Sequence, residues 1–136
     1  MADTLKLEIV TPEGVAYSEH VEMVTLPSVD GQLGVLPHHA PLMTQIVPGE
    51  MIARLRGQDT FLAVGEGLVH VGDDQVSILT DMAIAADNID EAKAEEARQR
   101  AAARLQQKLS GEEIASVNGA LARSIAQLRV KRRRRV

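Results

Sequence analysis

Apolar and polar residues alternate with a period of two along residues 4–10, TLKLEIV, and Thr11-Pro12-Glu13-Gly14 then turns the chain. A β-strand and a tight turn are predicted there. Apolar positions 15, 17, 21, 23, 24 and 26 continue the pattern, and the slip from odd to adjacent positions predicts a bulge or break near Ser18-Glu19. Turn signals recur at residues 27–31, 37–41, 48–49, 56–59, 65–67 and 72–74, with short apolar runs between them at 51–55, 61–64, 68–71 and 76–79. Strands of this length, punctuated at this spacing, predict an antiparallel β-sandwich or barrel over residues 1–86.

The pattern changes at Ala86. Asn88 and Glu91 are spaced as a capping box, Asp90 and Glu91 suit the positive end of a helix dipole, and no Gly or Pro follows before Leu109. Ser110 and Glu113 form a second capping box, so residues 87–136 read as two helices folded back as an antiparallel hairpin. The facing stripes are Ala94, Ala97, Ala101, Leu105 and Leu109 on the first helix, and Ile114, Val117, Leu121, Ile125 and Leu128 on the second. An alanine methyl removes about a third of the apolar area that a leucine side chain does, so the hairpin is weakly held compared with the sandwich. Gly119 costs the second helix a further ~1 kcal/mol relative to alanine. A marginal appendage on a firm domain suits a conformational switch, and equally a frayed C-terminus.

Charge divides at the same place. The net charge is −4 over 136 residues, yet residues 1–86 carry 3 basic and 12 acidic side chains, and residues 87–136 carry 12 basic and 7 acidic. All five prolines lie in the first segment. Absence of cysteine excludes thiolate zinc sites and cysteine nucleophiles. Charged residues interrupt the N-terminal run and no apolar stretch nears the roughly 18 residues of a membrane span, which reads as a soluble chain without an export signal.

Catalytic constellations are missing from the sequence. His38-His39 on an extended segment point to opposite sides, which is poor metal geometry and suits a contact role. The serines lie in no nucleophile elbow, and Gly65-Glu66-Gly67 is neither a P-loop nor a dinucleotide fingerprint. The strongest electrostatic feature is the run Arg129-Val130-Lys131-Arg132-Arg133-Arg134-Arg135, whose guanidinium groups suit carboxylates, phosphates or anionic headgroups, or a solvated end. One Phe and one Tyr give no stacking platform for single-stranded nucleic acid.

The segment DGQLGVLPHHAPL, residues 30–42, followed by Ile46-Val47-Pro48-Gly49, closely resembles the signature of the epsilon subunit of bacterial and chloroplast F-type ATP synthases. Residues 5–12, 61–67, 89–94 and 122–130 resemble further segments of that family in the same order. The resemblance implies a β + α architecture, an N-terminal antiparallel β-sandwich (1–86) for rotor docking and a C-terminal two-helix hairpin (87–136) with a regulatory role. It implies a non-catalytic central-stalk subunit that couples c-ring rotation to ATP synthesis and inhibits ATP hydrolysis. The implied partners are the gamma subunit, the c-ring and, through the C-terminal helices, the beta and alpha subunits, at the cytoplasmic face of the bacterial inner membrane. Membrane contact is indirect and no nucleic acid is expected.

By the same resemblance, Gly31, Gln32, Leu33, His38 and His39 meet the c-ring and gamma. Several relatives carry an acidic residue where this chain has Gln32. Arg123, Arg129, Lys131, Arg132 and Arg133 would meet carboxylates of beta. No resident cofactor is implied; in some bacterial members ATP binds the folded hairpin through an Ile/Leu-Asp-x-x-Arg-Ala motif. Ile89, Asp90 and Ala94 match it, and Lys93 replaces the arginine, keeping the charge without the planar fork. Asp90 also suits a plain capping role. The alternative of another class is a small binding module with a basic tail for nucleic acid or anionic lipid.

Overall fold

The computed structural model describes residues 3–134. Its strands are β1 (Leu5–Thr11), β2 (Gly14–Val21), β3 (Met23–Ser28), β4 (Gly31–Val35), β5 (Leu42–Ile46), β6 (Gly49–Leu55), β7 (Gln58–Val64), β8 (Gly67–Gly72), β9 (Gln75–Thr80) and β10 (Ala83–Ala85). They pair in the order β10-β7-β6-β3-β5-β8-β9-β1-β2, with β4 on β3. β3 and β5 share only the pair Ser28 and Ile46, so the ladder folds there into two layers. Neighbours are antiparallel except β1 and β9, which run parallel. Alternate residues point between the layers, and Leu5, Leu7, Ile9, Val24, Leu26, Met51, Leu62, Val69 and Ile78 fill one buried core.

The break in the second apolar run falls at Glu22, between β2 and β3, and not at Ser18-Glu19. Val21 points inward from β2 and Val24 and Leu26 from β3, so the change of phase sits between 21 and 24. A separate register shift, where Ile9 pairs Tyr17 and Val10 pairs Val15, leaves Ala16 as the extra residue.

A 3₁₀ turn (Ala86–Asn88) leads into α1 (Glu91–Arg104), and α2 (Gly111–Arg133) follows. The first cap is Asp90, whose carboxylate accepts the Lys93 N–H at 3.1 Å, and not Asn88. Ile89 decides this: it is extended and buried against Ala63, Met82, Ala126 and Val130, so helical winding starts only after it. α1 ends at Arg104 rather than Leu109, because the amides of Gln106 and Gln107 turn back to Ala103 and Arg104 and tighten the last turn. The Ser110–Glu113 capping box forms as expected, and α2 runs unbroken through Asn118-Gly119.

The predicted stripes hold in part. Ala94 and Ala101 are buried on α1, but α2 buries Ser124, Ala126, Leu128 and Val130, while Ile114 is exposed. The physical reason is a second neighbour: the C-terminal half of α2 packs on β6 and β7 as well as on α1.

Candidate functional site

The five residues expected at the contact loops separate into two places. Gly31 and Gln32 are exposed at the β3–β4 tip, closed by the Ser28 hydroxyl donating to the Gly31 carbonyl at 2.6 Å, and Leu33 packs partly on the core. His38 and His39 lie beyond the far end of β4, where the chain enters β5 opposite Val71 and the β8–β9 turn. The length of β4 puts these places roughly 13 Å apart or more, at opposite ends of the sandwich.

His38 ties its loop to two acidic residues at the surface. Its backbone is left-handed (φ 69°), and its N–H donates to Asp74 Oδ1 at 2.6 Å. The ring Nε2 lies 3.0 Å from Asp3 Oδ2 and Nδ1 3.5 Å from Asp74 Oδ2. The hydrogen bond to Asp3, then the charges of Asp74 and Asp3, raise the imidazole pKa above its ordinary 6.5. A raised folded-state value means that the charged pins are complete below the unfolded pKa of about 6.5 and are lost as pH rises through the higher folded value. NMR titration of His38 is expected to give a midpoint above 6.5, lowered by Asp74→Asn; a midpoint at or below the ordinary value contradicts the geometry.

A surface that the sequence pattern did not single out lies on the outer face of the layer β5-β8-β9-β1-β2. Met43, Leu68 and Leu79 are 67%, 47% and 59% exposed there. Leu68 pairs directly with Leu79, and Leu79 with Val10, making an apolar row across three strands. The available signal is that runs 68–71 and 76–79 carry leucine at outward positions, where a one-sided strand would be polar.

The outer face of the other layer carries the hairpin. Ala63 points away from the core into a small cluster with Met82, Ile89, Ala126 and Val130. Polar contacts then line the C-terminal half of α2. Arg123 pairs with Asp81 at 3.0 Å, Gln127 meets the Met82 sulfur at 3.1 Å, and Lys131 Nζ donates to the Ala86 carbonyl at 3.1 Å. Arg132 reaches Glu91 at 2.9 Å and Glu95 at 3.5 Å, and Arg133 reaches Glu50 at 3.4 Å. Arg129 is exposed. Glu95 is held down to about 2, first by its hydrogen bond from Arg98 and then by Gln99 and the charges of Arg98 and Arg132, so it stays ionised at physiological pH. The basic run is therefore helical through Arg133, and Lys131 to Arg134 are engaged rather than a solvated end; Arg135 lies outside the described residues.

Of the nucleotide-motif positions, Asp90 is engaged as the cap of α1, Ala94 is buried, and the Lys93 side chain is exposed. No group of three or more His, Asp or Glu side chains that could hold a metal occurs among the described residues. No helix there is long and apolar enough to cross a membrane.

Residues 4–86 match the family model "ATP synthase, Delta/Epsilon chain, beta-sandwich domain", and residues 87–132 match "ATP synthase, Delta/Epsilon chain, long alpha-helix domain". An ATP synthase epsilon chain of Herpetosiphon aurantiacus is 42% identical over 131 residues, covering 96% of both chains. One of Dehalococcoides mccartyi is 40% identical over 132 residues, covering 96% of this chain and 94% of its own. Among solved structures, a chain of the Euglena gracilis mitochondrial ATP synthase OSCP/F1/c-ring assembly shares the fold, with a TM-score of 0.71 at 24% identity, over 88% of this chain and 76% of that one. Nothing in these likenesses supports a free nucleic-acid or lipid-binding module. Matching both domain families and these relatives almost end to end, the chain belongs to the ATP synthase delta/epsilon family, as an epsilon-type, non-catalytic subunit of the rotor of that membrane-associated complex.

Proposed function

We propose that the sandwich docks on the gamma subunit through its uncovered apolar row, and that the hairpin on its opposite face is a detachable brake on ATP hydrolysis. The observation that carries this reading is the use of the two outer faces. One is covered by the chain's own α2, and the other presents Met43, Leu68 and Leu79 to a partner. The tip Gly31-Gln32 and the loop His38-His39, at opposite ends, serve different neighbours, with one of them on the polar loops of the c-ring. In this reading the subunit works at the cytoplasmic face of a bacterial plasma membrane. When released, α2 carries Arg123, Arg129, Lys131, Arg132 and Arg133 to carboxylates of beta, beside alpha.

The docking face is tested by Leu68→Asp/Leu79→Asp and co-purification with gamma. Each leucine buried on docking contributes about 1.5–3 kcal/mol, so the pair is expected to weaken binding by at least about 100-fold. Both side chains are exposed in the free chain, so the thermal melt stays near wild type. Undiminished capture of gamma would remove this face from the account.

A further inference from the structure

We propose that Glu50 and Phe61 form a receptor for the C-terminal arginines, and that this clamp is the latch setting how often the hairpin leaves the sandwich. Arg134 Nε and Nη2 donate to Glu50 Oε2 and Oε1 at 3.0 and 2.7 Å, a two-pronged pair that only a guanidinium makes. The same guanidinium lies 3.8 Å from the centroid of Phe61, the one phenylalanine of the chain. Arg133 adds a third contact to Glu50. The Glu50 side chain is only 11% exposed while the hairpin is docked, so the closed clamp is shielded from water.

The position of the clamp gives it leverage. α2 has 23 residues, roughly 35 Å, and its apolar seat is one cluster of five buried residues, Ala63, Met82, Ile89, Ala126 and Val130. A helix frays from its end, and here the end is pinned: Arg134 follows the last turn, with its own N–H on the Val130 carbonyl at 3.0 Å. Arg133 also lines the cleft formed with Pro27, Ser28, Gly31, Gln32 and Glu50, so the latch sits beside the β3–β4 tip. In the docked hairpin Arg132 and Arg133, two of the cations that would reach an acidic partner, are already paired with Glu91, Glu95 and Glu50. Latch carboxylates and partner carboxylates compete for the same side chains; that last consequence rests on the proposed function, while the latch itself is a property of the chain alone.

The test uses the full chain, which has no native cysteine, with dyes on cysteines introduced at the exposed positions Gln58 and Glu112, and reads the ratio of separated to docked hairpin by energy transfer. Arg134→Ala is expected to raise that ratio roughly tenfold, and Arg134→Lys less, since lysine keeps the charge without the fork and the stacked plane. Glu50→Gln acts in the same direction, and combined with Arg134→Ala it adds little, because both break one contact. Arg100→Ala, which removes a charge from the exposed face of α1, leaves the ratio unchanged. An Arg134→Ala ratio equal to that of Arg100→Ala, or Glu50 and Arg134 effects that sum as independent ones, would overturn the latch. The readout needs no gamma, so failure here is distinct from failure of the docking face.

Discussion

Gly67→Ala is expected to destabilise the sandwich by about 3 kcal/mol, the top of the usual range for forced overpacking. Gly67 opens β8 and pairs with Ile46 on one side and Thr80 on the other, so it lies inside the second layer rather than at its edge. A Cβ there would sit well inside contact distance of the Leu79 carbonyl oxygen and 2.8 Å from the Thr80 Cα. Both are backbone atoms, and relief requires β8 to move off β9. For a domain of this size the change corresponds to a fall in Tm of roughly 15 °C. Gly57→Ala is the contrast: φ is 76° but the space is open, so only the conformational cost of about 1 kcal/mol applies. Thermal melts of the two variants followed by circular dichroism check this, and a Gly67→Ala melt within about 3 °C of wild type would contradict the packing described.

Much of the architecture is written in local pattern. Two-residue alternation marks the strands because each has one buried face, and the loss of glycine and proline after Ala86 marks the helices. The Ser110–Glu113 cap is visible because both of its partners lie within one turn. What the pattern conceals depends on distant contacts. Asp90 displaces Asn88 as a cap because Ile89 is drawn into a cluster with residues of β7 and α2. The basic tail looks solvated in sequence because its acceptor, Glu50, lies 84 residues away from Arg134. His38 and Gly31 look like one contact segment, and only the run of β4 sends them to opposite ends. The Leu68–Leu79 row was within reach, as outward leucines on otherwise one-sided strands, yet its meaning needs the topology that puts the hairpin on the other face.

Tethering α2 to the sandwich is expected to release the assembled enzyme from inhibition of ATP hydrolysis, a several-fold rise in rate. The proposed brake acts only after α2 leaves β6 and β7, and a covalent tether removes the released state from the equilibrium, so the inhibited fraction falls towards zero. Met82 and Gln127 provide the site, because their side chains meet at 3.1 Å across the junction and neither belongs to the arginine set proposed to reach beta. Cysteines at these positions, joined by a short thiol-to-thiol crosslinker that a reductant cleaves, give closed and open states in one preparation. The decisive measurement is the ATP hydrolysis rate of this assembled complex before and after cleavage of the tether. The account predicts fast hydrolysis with the tether closed and a return to the inhibited rate once it is cut; equal rates, or slower hydrolysis with the tether closed, would contradict it.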